Sequence, residues 1–408
     1  MKKLNVILRR GPEQHVLVGQ LADTDGRIFF EYDPNFLQNP LWLSPFKLPP
    51  EPGLQEHTDR AFGPIFGLFD DSLPDGWGLL LMDRAFRKAG LDPKNVSILD
   101  RLAFLGADTM GALVYEPAAT REDAADQAFD LHQLAVESRQ VLAGNIETVL
   151  PLLLRAGGSP GGARPKVLAG VLGDRLVSGE GDLPEGFAHW LIKFSGPNDF
   201  PDAGPIEYAY ARIAENAGIL MPETRLFTAR GERYFGVKRF DRRHNHRFHV
   251  HTLGNLIHSN FRIPVSDYED FFKVIRILTR NHQDLLRGFR HMVFNVLTHN
   301  RDDHVKNFSF LMDDDGTWRL APAYDLTYAP GPGGEHSMTV LGEGKAPGSR
   351  EILALGRKVG LKQMEMERIC DQVRAAVGQW VKFAEEAGVT EKSKGALGKV
   401  FAEIVRMF

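Results

Sequence analysis

Apolar and polar positions alternate along residues 3 to 9 and again along 15 to 21, with the turn sequence GPEQ near their junction. A period of two turns one face of each run toward a core, so the pair predicts an antiparallel hairpin. IFFEY at 28 to 32 adds a third strand. The proline-rich LSPFKLPPEPG that follows is barred from helix and central strand, because proline lacks an N–H. The period then changes. PDGWGLLLMDRAFRKAG predicts a helix opening at Pro74 and Asp75 and stopping at Gly90. ILDRLAFLGADTMGALVYEP reads as a short helix, a glycine turn and a strand. TREDAADQAFD is charged and poor in apolar residues, which sets a first boundary near residue 120.

From there to about residue 260 the chain reads as strand-rich. KVLAGVLG, HWLIKFS, TRLFTAR and RYFGVKRF are short β-type runs separated by glycine or acidic turns. One helix interrupts them, GPIEYAYARIAENAG, with Ile206, Tyr210, Ile213 and Ala217 at helical spacing. From Ser266 onward helix dominates. SDYE is a capping box for FFKVIRILTR, LLRGFRHMVFNVLTH carries Phe289, Val293, Val296 and Leu297, and residues 351 to 408 read as amphipathic helix. A sheet lobe followed by a helical lobe is the layout of two-lobed kinases.

Bulk properties narrow the function classes. At 408 residues the chain is too long for one small core. Its apolar stretches, such as LPLLL near residue 150, are far shorter than a membrane span, and MKKLNVILRR has too short an apolar run for a secretory signal. The single cysteine, Cys370, precludes an internal disulfide framework and suits a reducing cytoplasm. A net charge of -4 argues against a chain that grips DNA across a large surface by itself.

Candidate chemistry concentrates in HNRDDHVKN at 299 to 307. Protein kinases use a loop H-R-D-x-x-x-x-N, in which Asp accepts the substrate hydroxyl proton and Asn holds magnesium. Arg301 and Asp302 followed by Asn307 have that spacing, with Asn300 in place of the histidine. FSFLM, the turn DDDG and TWRLAPAYD predict a hairpin that delivers Asp325 to the second metal-binding position. Zinc at His299, Asp303 and His304 is a poorer reading, since histidines five apart do not share a helix face. HNHRFHVH at 244 to 251 reads as surface histidines on a basic loop. The eight Lys and Arg residues from Arg225 to Arg247 read as a solvated face with the capacity for phosphate contacts.

A kinase also needs a strand lysine for the α- and β-phosphates, paired with a helix glutamate. HWLIKFS supplies Lys193, and the helix after it supplies Glu207 or Glu215. Upstream, AGGSPGGARPKVL has four glycines within six residues, whose backbone amides can cradle phosphate oxygens. It lacks the G-K-[ST] ending of a Walker A loop.

Together these residues resemble the HipA-like serine/threonine kinases, the toxin half of HipA/HipB toxin–antitoxin pairs. The resemblance runs through FDDSLPDGWG, GADTMGALVYEP, SPGGARPK, LIKFSG, VKRFDRR, NRDDHVKNFSFL and LAPAYDLT, so it covers nearly the whole chain. It implies an α+β, two-lobed protein-kinase-like fold with an extra small N-terminal α/β subdomain. The division would be 1–120 for that subdomain, 121–260 for the strand-rich nucleotide-binding lobe and 261–408 for the helical catalytic lobe. It implies ATP and magnesium as cofactors, Asp302 as catalytic aspartate, Asn307 and Asp325 as metal ligands, and Lys193 on ATP phosphate. His304 and Lys306 match the family pattern and would support the γ-phosphate. Gly161, Gly162 and Lys166 would line the phosphate loop, and the hinge from Val237 to Phe240, with Lys238 and Phe240, would touch adenine through its backbone. Ser159 matches the family's autophosphorylation serine, whose modification ejects its loop and disables ATP binding. The implied partners are a helix-turn-helix antitoxin of HipB type that carries the DNA contacts, and a protein substrate such as an aminoacyl-tRNA synthetase. Two other classes fit the same lobes: a small-molecule phosphotransferase, and a kinase-like scaffold that binds the antitoxin without catalysis.

Overall fold

The computed structural model describes residues 1–119, 129–144, 151–157 and 161–407. Ser159 and most of the linker around residue 120 lie outside them. The N-terminal hairpin is β1 (Lys2–Gly11) and β2 (Gln14–Thr24), continued by β3 (Arg27–Tyr32), β4 (Leu54–Glu56) and β5 (Leu113–Glu116). They form one antiparallel sheet in the order β4-β3-β2-β1-β5. The predicted helices follow at Gly76–Lys88 and Ile98–Leu105, the latter closed by a capping box between Ser97 and Asp100.

The upper lobe is a second antiparallel sheet, ordered β7-β6-β8-β10-β9. Its strands are β6 (Lys166–Leu172), β7 (Arg175–Ser178), β8 (Ala188–Lys193), β9 (Thr224–Ala229) and β10 (Glu232–Lys238). The β6–β8 register sets Lys166 directly opposite Lys193. After the two-residue strands β11 (Arg242–Arg243) and β12 (His246–Arg247), β13 (His249–Thr252) leaves the upper sheet. It pairs with β14 (Ser309–Met312), which pairs with β15 (Trp318–Leu320) across the Asp313–Gly316 turn. The architecture is a mixed α/β, two-lobed kinase-like body with an added N-terminal sheet. Among the described residues no helix is long and apolar enough to cross a membrane.

Several expectations need correction. The strand-rich region holds further helices, Leu131–Leu142 and Pro151–Gly157, ahead of Ala203–Asn216. The first buries Leu131, Leu134, Ala135, Ser138 and Val141 at helical spacing and starts where Asp130 accepts from the Gln133 N–H at 3.0 Å. The tail is four helices, Ser349–Lys358, Gln363–Val377, Trp380–Ala387 and Glu391–Met407. The helix at Tyr268–Leu278 is capped by Asp267, while the Ser266 hydroxyl is engaged with Ser259. His249 and His251 are buried, not surface groups: the first contacts Leu43 O at 2.9 Å and the second contacts Asp71 at 2.5 Å.

The basic run is a solvated face only in part: Arg230, Arg233 and Arg243 are exposed, and three other arginines are not. Arg239, Arg242 and Arg247 are buried. Asp241, itself buried, accepts from Arg239 at 2.7 Å, from Arg242 at 2.6 Å and from the Gly111 N–H at 2.8 Å. Arg242 also donates to the carbonyls of Thr109 and Gly111, and Arg247 to that of Ala107. The GADTMG turn of the N-terminal unit is thus sewn onto the segment after β10 by charge-assisted bonds between buried groups. Burial pushes the Asp241 carboxyl upward, but the two guanidiniums hold it well below the ordinary range. Asp241→Ala leaves those guanidiniums without their carboxylate, so a loss of about 3–5 kcal/mol in stability is expected by urea unfolding. A loss under about 1 kcal/mol would show that the cluster contributes little.

Candidate functional site

Lys193 ends β8 with its side chain only 9% exposed. An ammonium at that depth needs counter-charge, and it has two. Glu207, on the helix Ala203–Asn216, meets it at 2.5 Å, and Asp325, beyond β15, is also hydrogen-bonded to it. Glu215 instead pairs with Arg212, which decides between the two glutamates. Burial alone would lower the Lys193 pKa, but the two carboxylates outweigh it and raise the group above its ordinary value. Burial likewise pushes Asp325 upward, and Lys193, Lys166 and Arg164 together hold it far below the usual carboxylate range. Asp325 has φ of 58°, a left-handed conformation unusual for a residue with a side chain and common at functional sites.

The loop at 299 to 307 is pinned from beneath. Asp303 is fully buried, accepting from Tyr268 OH at 2.7 Å and the Ser337 N–H at 2.8 Å and meeting His336 at 2.9 Å. Arg301 N–H donates to Ala329 O, and Ser337 N–H to Arg301 O. With Asp303 anchored inward, its neighbour Asp302 is left 62% exposed at the cleft. The surrounding protein mass raises the Asp302 pKa, as does the Asp325 carboxylate, while His304 and Arg164 pull it down. His304 Nε2 lies 4.0 Å from Asp302 Oδ1. Asn307 donates its amide N–H to Asp302 O at 2.7 Å, which leaves its amide oxygen as an acceptor. The zinc alternative is not supported: Asp303 is committed to His336 and Tyr268, and the described residues hold no cluster of three His, Cys, Asp or Glu side chains arranged for a metal.

Lys166 is buried and donates to Gly161 O at 2.5 Å. Burial depresses it to about 8, against the pull of Asp325. Gly162 N–H is held by Asp75. Phe240 sets its ring 5.4 Å from that of Tyr324, the residue before Asp325. Two candidates point elsewhere. The Lys238 ammonium turns to Glu223 on the surface at 3.2 Å, and Lys306 is bound to Asp70 of the N-terminal unit at 2.9 Å. Arg164 was not singled out from sequence. It bridges Asp199 at 3.0 Å and approaches Glu207 at 3.8 Å. Asp70 carries no local signal and Asp75 reads only as a helix start, because nothing local in the sequence shows what they reach.

Against known proteins, the model of the HipA-like C-terminal domain matches residues 158–381, and that of the HipA N-terminal domain matches residues 13–116. Two Sinorhizobium fredii proteins named "Putative kinase Y4mE" and "Putative kinase Y4dM" are similar at 28% and 26% identity. The alignments cover 91% of this chain and 84% of the first, and 74% and 72% for the second. Among solved structures, HipA of Shewanella oneidensis, determined in a complex with HipB and operator DNA, superposes with a TM-score of 0.71. That match covers 98% of this chain and 95% of the other at 15% identity, a likeness of fold.

The depressed Lys166 supplies a pH test. Its folded value of about 8 lies below its ordinary 10.5, so between those values the unfolded chain binds the extra proton. Its contribution to stability therefore rises as pH climbs through that window. The difference in Tm between wild type and Lys166→Met, measured from pH 7 to 10, should move in favour of wild type as pH rises. A difference that stays flat contradicts a depressed lysine.

Proposed function

This chain belongs to the HipA-like family, and from that premise we propose that it is an ATP- and magnesium-dependent serine/threonine protein kinase acting in the cytoplasm. It is, in this reading, the toxin half of a toxin–antitoxin pair. The observation that carries the proposal is the meeting of Lys193 with both Glu207 and Asp325, three charges from a strand, a helix and a hairpin end. A strand lysine paired with a helix glutamate is the arrangement with which protein kinases hold α- and β-phosphates, and an aspartate at the Asp325 position takes the metal.

The donor set suits a hard divalent cation. Asp325 is held ionised and Asn307 has its amide oxygen free of the bond its nitrogen makes to Asp302 O. One carboxylate and one amide oxygen, completed by phosphate oxygens and water, is what magnesium requires. Held there, it would neutralise charge on the transferring phosphoryl group. The chain's own residues do the rest by position and field. Lys193, charged and fixed between two carboxylates, binds α- and β-phosphates. Lys166 and the backbone of Gly161 and Gly162 line the phosphate end, and the backbone from Val237 to Phe240 receives adenine. Asp302, open to the cleft and more basic than an ordinary aspartate, accepts the proton of the attacking serine or threonine hydroxyl at its carboxylate oxygen. His304 stands beside it to support the γ-phosphate.

For partners, the reading takes a helix-turn-helix antitoxin of HipB type, which carries the DNA contacts for a chain of net charge -4. The protein substrate belongs to the translation machinery, with an aminoacyl-tRNA synthetase as the first candidate. Lys306, bonded to Asp70, serves the site through that contact.

Intact-mass spectrometry after incubation with Mg-ATP tests the proposal. The wild type should gain a phosphoryl group, Ser159→Ala should gain none, and Asp302→Asn should be slower by about 10²-fold or more. Near wild-type transfer by Asp302→Asn refutes the catalytic assignment. Absence of phosphate on every variant, from a chain shown to be unmodified at the start, rejects autophosphorylation and leaves a kinase acting only on another substrate or a scaffold, which the thermal shift with Mg-ATP separates.

A further inference from the structure

The motif FDDSLPDGWG at 69 to 78 supplies no group that touches nucleotide or substrate in the reading above, yet its side chains reach both halves of the site. On one side, Asp75 accepts from the Gly162 N–H, Trp77 N–H donates to Gly162 O at 3.0 Å, and the Trp77 indole donates to Lys166 O at 3.1 Å. Gly76 lies so close that a Cβ there would sit 2.7 Å from Ala163 Cα and 2.8 Å from Gly162 O. On the other side, Asp70 holds the Lys306 ammonium at 2.9 Å and accepts from Asn255 at 3.1 Å. Asp71 accepts from Thr252 N–H and from the Asn255 amide, at 2.9 and 2.8 Å. The helix Leu253–Ile257 between them is packed to the limit, since a Cβ on Gly254 would lie 2.6 Å from the Val305 side chain.

We propose that Asp70 and Asp75 are positioning residues, and that the Asp70–Trp77 loop is a clasp fixing the phosphate-binding end of the upper lobe against the Asp302–Asn307 loop of the lower. This rests on the kinase reading and adds to it a reason for the N-terminal unit. Two loops separated by more than a hundred residues must stand at a set distance for phosphoryl transfer, and misplacement by an ångström costs orders of magnitude in rate. Here four residues within eight of a third unit bond to the two lobes, Asp70 and Asp71 to the lower and Asp75 and Trp77 to the upper. Asp75 acts on the glycine end and Asp70 on Lys306, one residue from Asn307, so their effects separate.

The experiment compares wild type, Asp75→Ala, Asp75→Asn and Asp70→Asn in the full chain by Mg-ATP dissociation constant, steady-state kcat for Mg-ATP hydrolysis, and amide hydrogen exchange at residues 161 to 166. Asp75→Ala should weaken Mg-ATP binding about ten-fold and speed exchange at Gly162. Asp75→Asn keeps shape and an acceptor oxygen, so it should recover most of both, and it keeps the test answerable if the alanine variant folds poorly. Asp70→Asn should lower kcat about ten-fold with the dissociation constant within two-fold of wild type. Unchanged nucleotide affinity and unchanged Gly162 exchange in Asp75→Ala, whatever its Tm, overturn the clasp alone. A wild type that binds no Mg-ATP overturns the kinase reading and the clasp with it.

Discussion

A lysine ammonium buried to nine-tenths has to be neutralised where it sits, and that requirement on Lys193 organises the molecule. Its two counter-charges come from different elements, Glu207 from a helix and Asp325 from the end of a hairpin in the other lobe. Strand, helix and hairpin must therefore converge on one point, and the surroundings hold each in place. The strand is fixed by its register in the sheet, opposite Lys166. The helix is tied to the lower lobe by Tyr210 OH donating to Thr298 O at 2.8 Å and by its N-terminal neighbour Asp202, which accepts from Ser393 and Thr390, each at 2.7 Å. The hairpin is positioned through β13, β14 and β15.

The same logic explains why a kinase-like body carries an N-terminal sheet. The attachment combines a shared apolar core, in which Phe66 and Phe69 join Leu253 and Leu256, with buried charges that keep it from sliding. Arg239 and Arg242 neutralise Asp241 within one segment, and across the interface Asp241 accepts from the Gly111 N–H while Arg242 donates to Thr109 O and Gly111 O; Asp71 meets His251, Thr252 and Asn255 across it. Charged groups buried in this way fix register, because any shift leaves one of them unpaired. The price of that specificity is stability that depends on every partner being present.

Much of this was legible in the sequence where periodicity was strong. The β1–β2 hairpin, the helix with Ile206, Tyr210 and Ile213, and the hairpin ending at Asp325 all follow from local pattern and turn chemistry. Asp302, Asn307 and Asp325 could be singled out because the loop spacing and the following hairpin match the protein-kinase pattern. The helix Leu131–Leu142 was legible too, from its apolar spacing, and was obscured by the charged stretch before it. What could not be read were long-range pairings. Nothing in HNHRFHVH announces that His249 and His251 are buried while His244 is exposed, since that depends on strands paired some sixty residues away. Likewise Arg239 and Arg242 look like solvated cations until the GADTMG turn supplies the carbonyls that accept their N–H groups.

The central claim is that Lys193 and Asp325 form the nucleotide and metal end of one site, and thermal unfolding with ligand tests it most directly. A ligand present at a hundred times its dissociation constant stabilises a native protein by about 2.7 kcal/mol. Mg-ATP at millimolar concentration should raise Tm by several degrees, ATP with chelator should raise it less, and Asp325→Asn should lose the magnesium-dependent part. A wild-type chain whose Tm is the same with and without Mg-ATP would contradict the account.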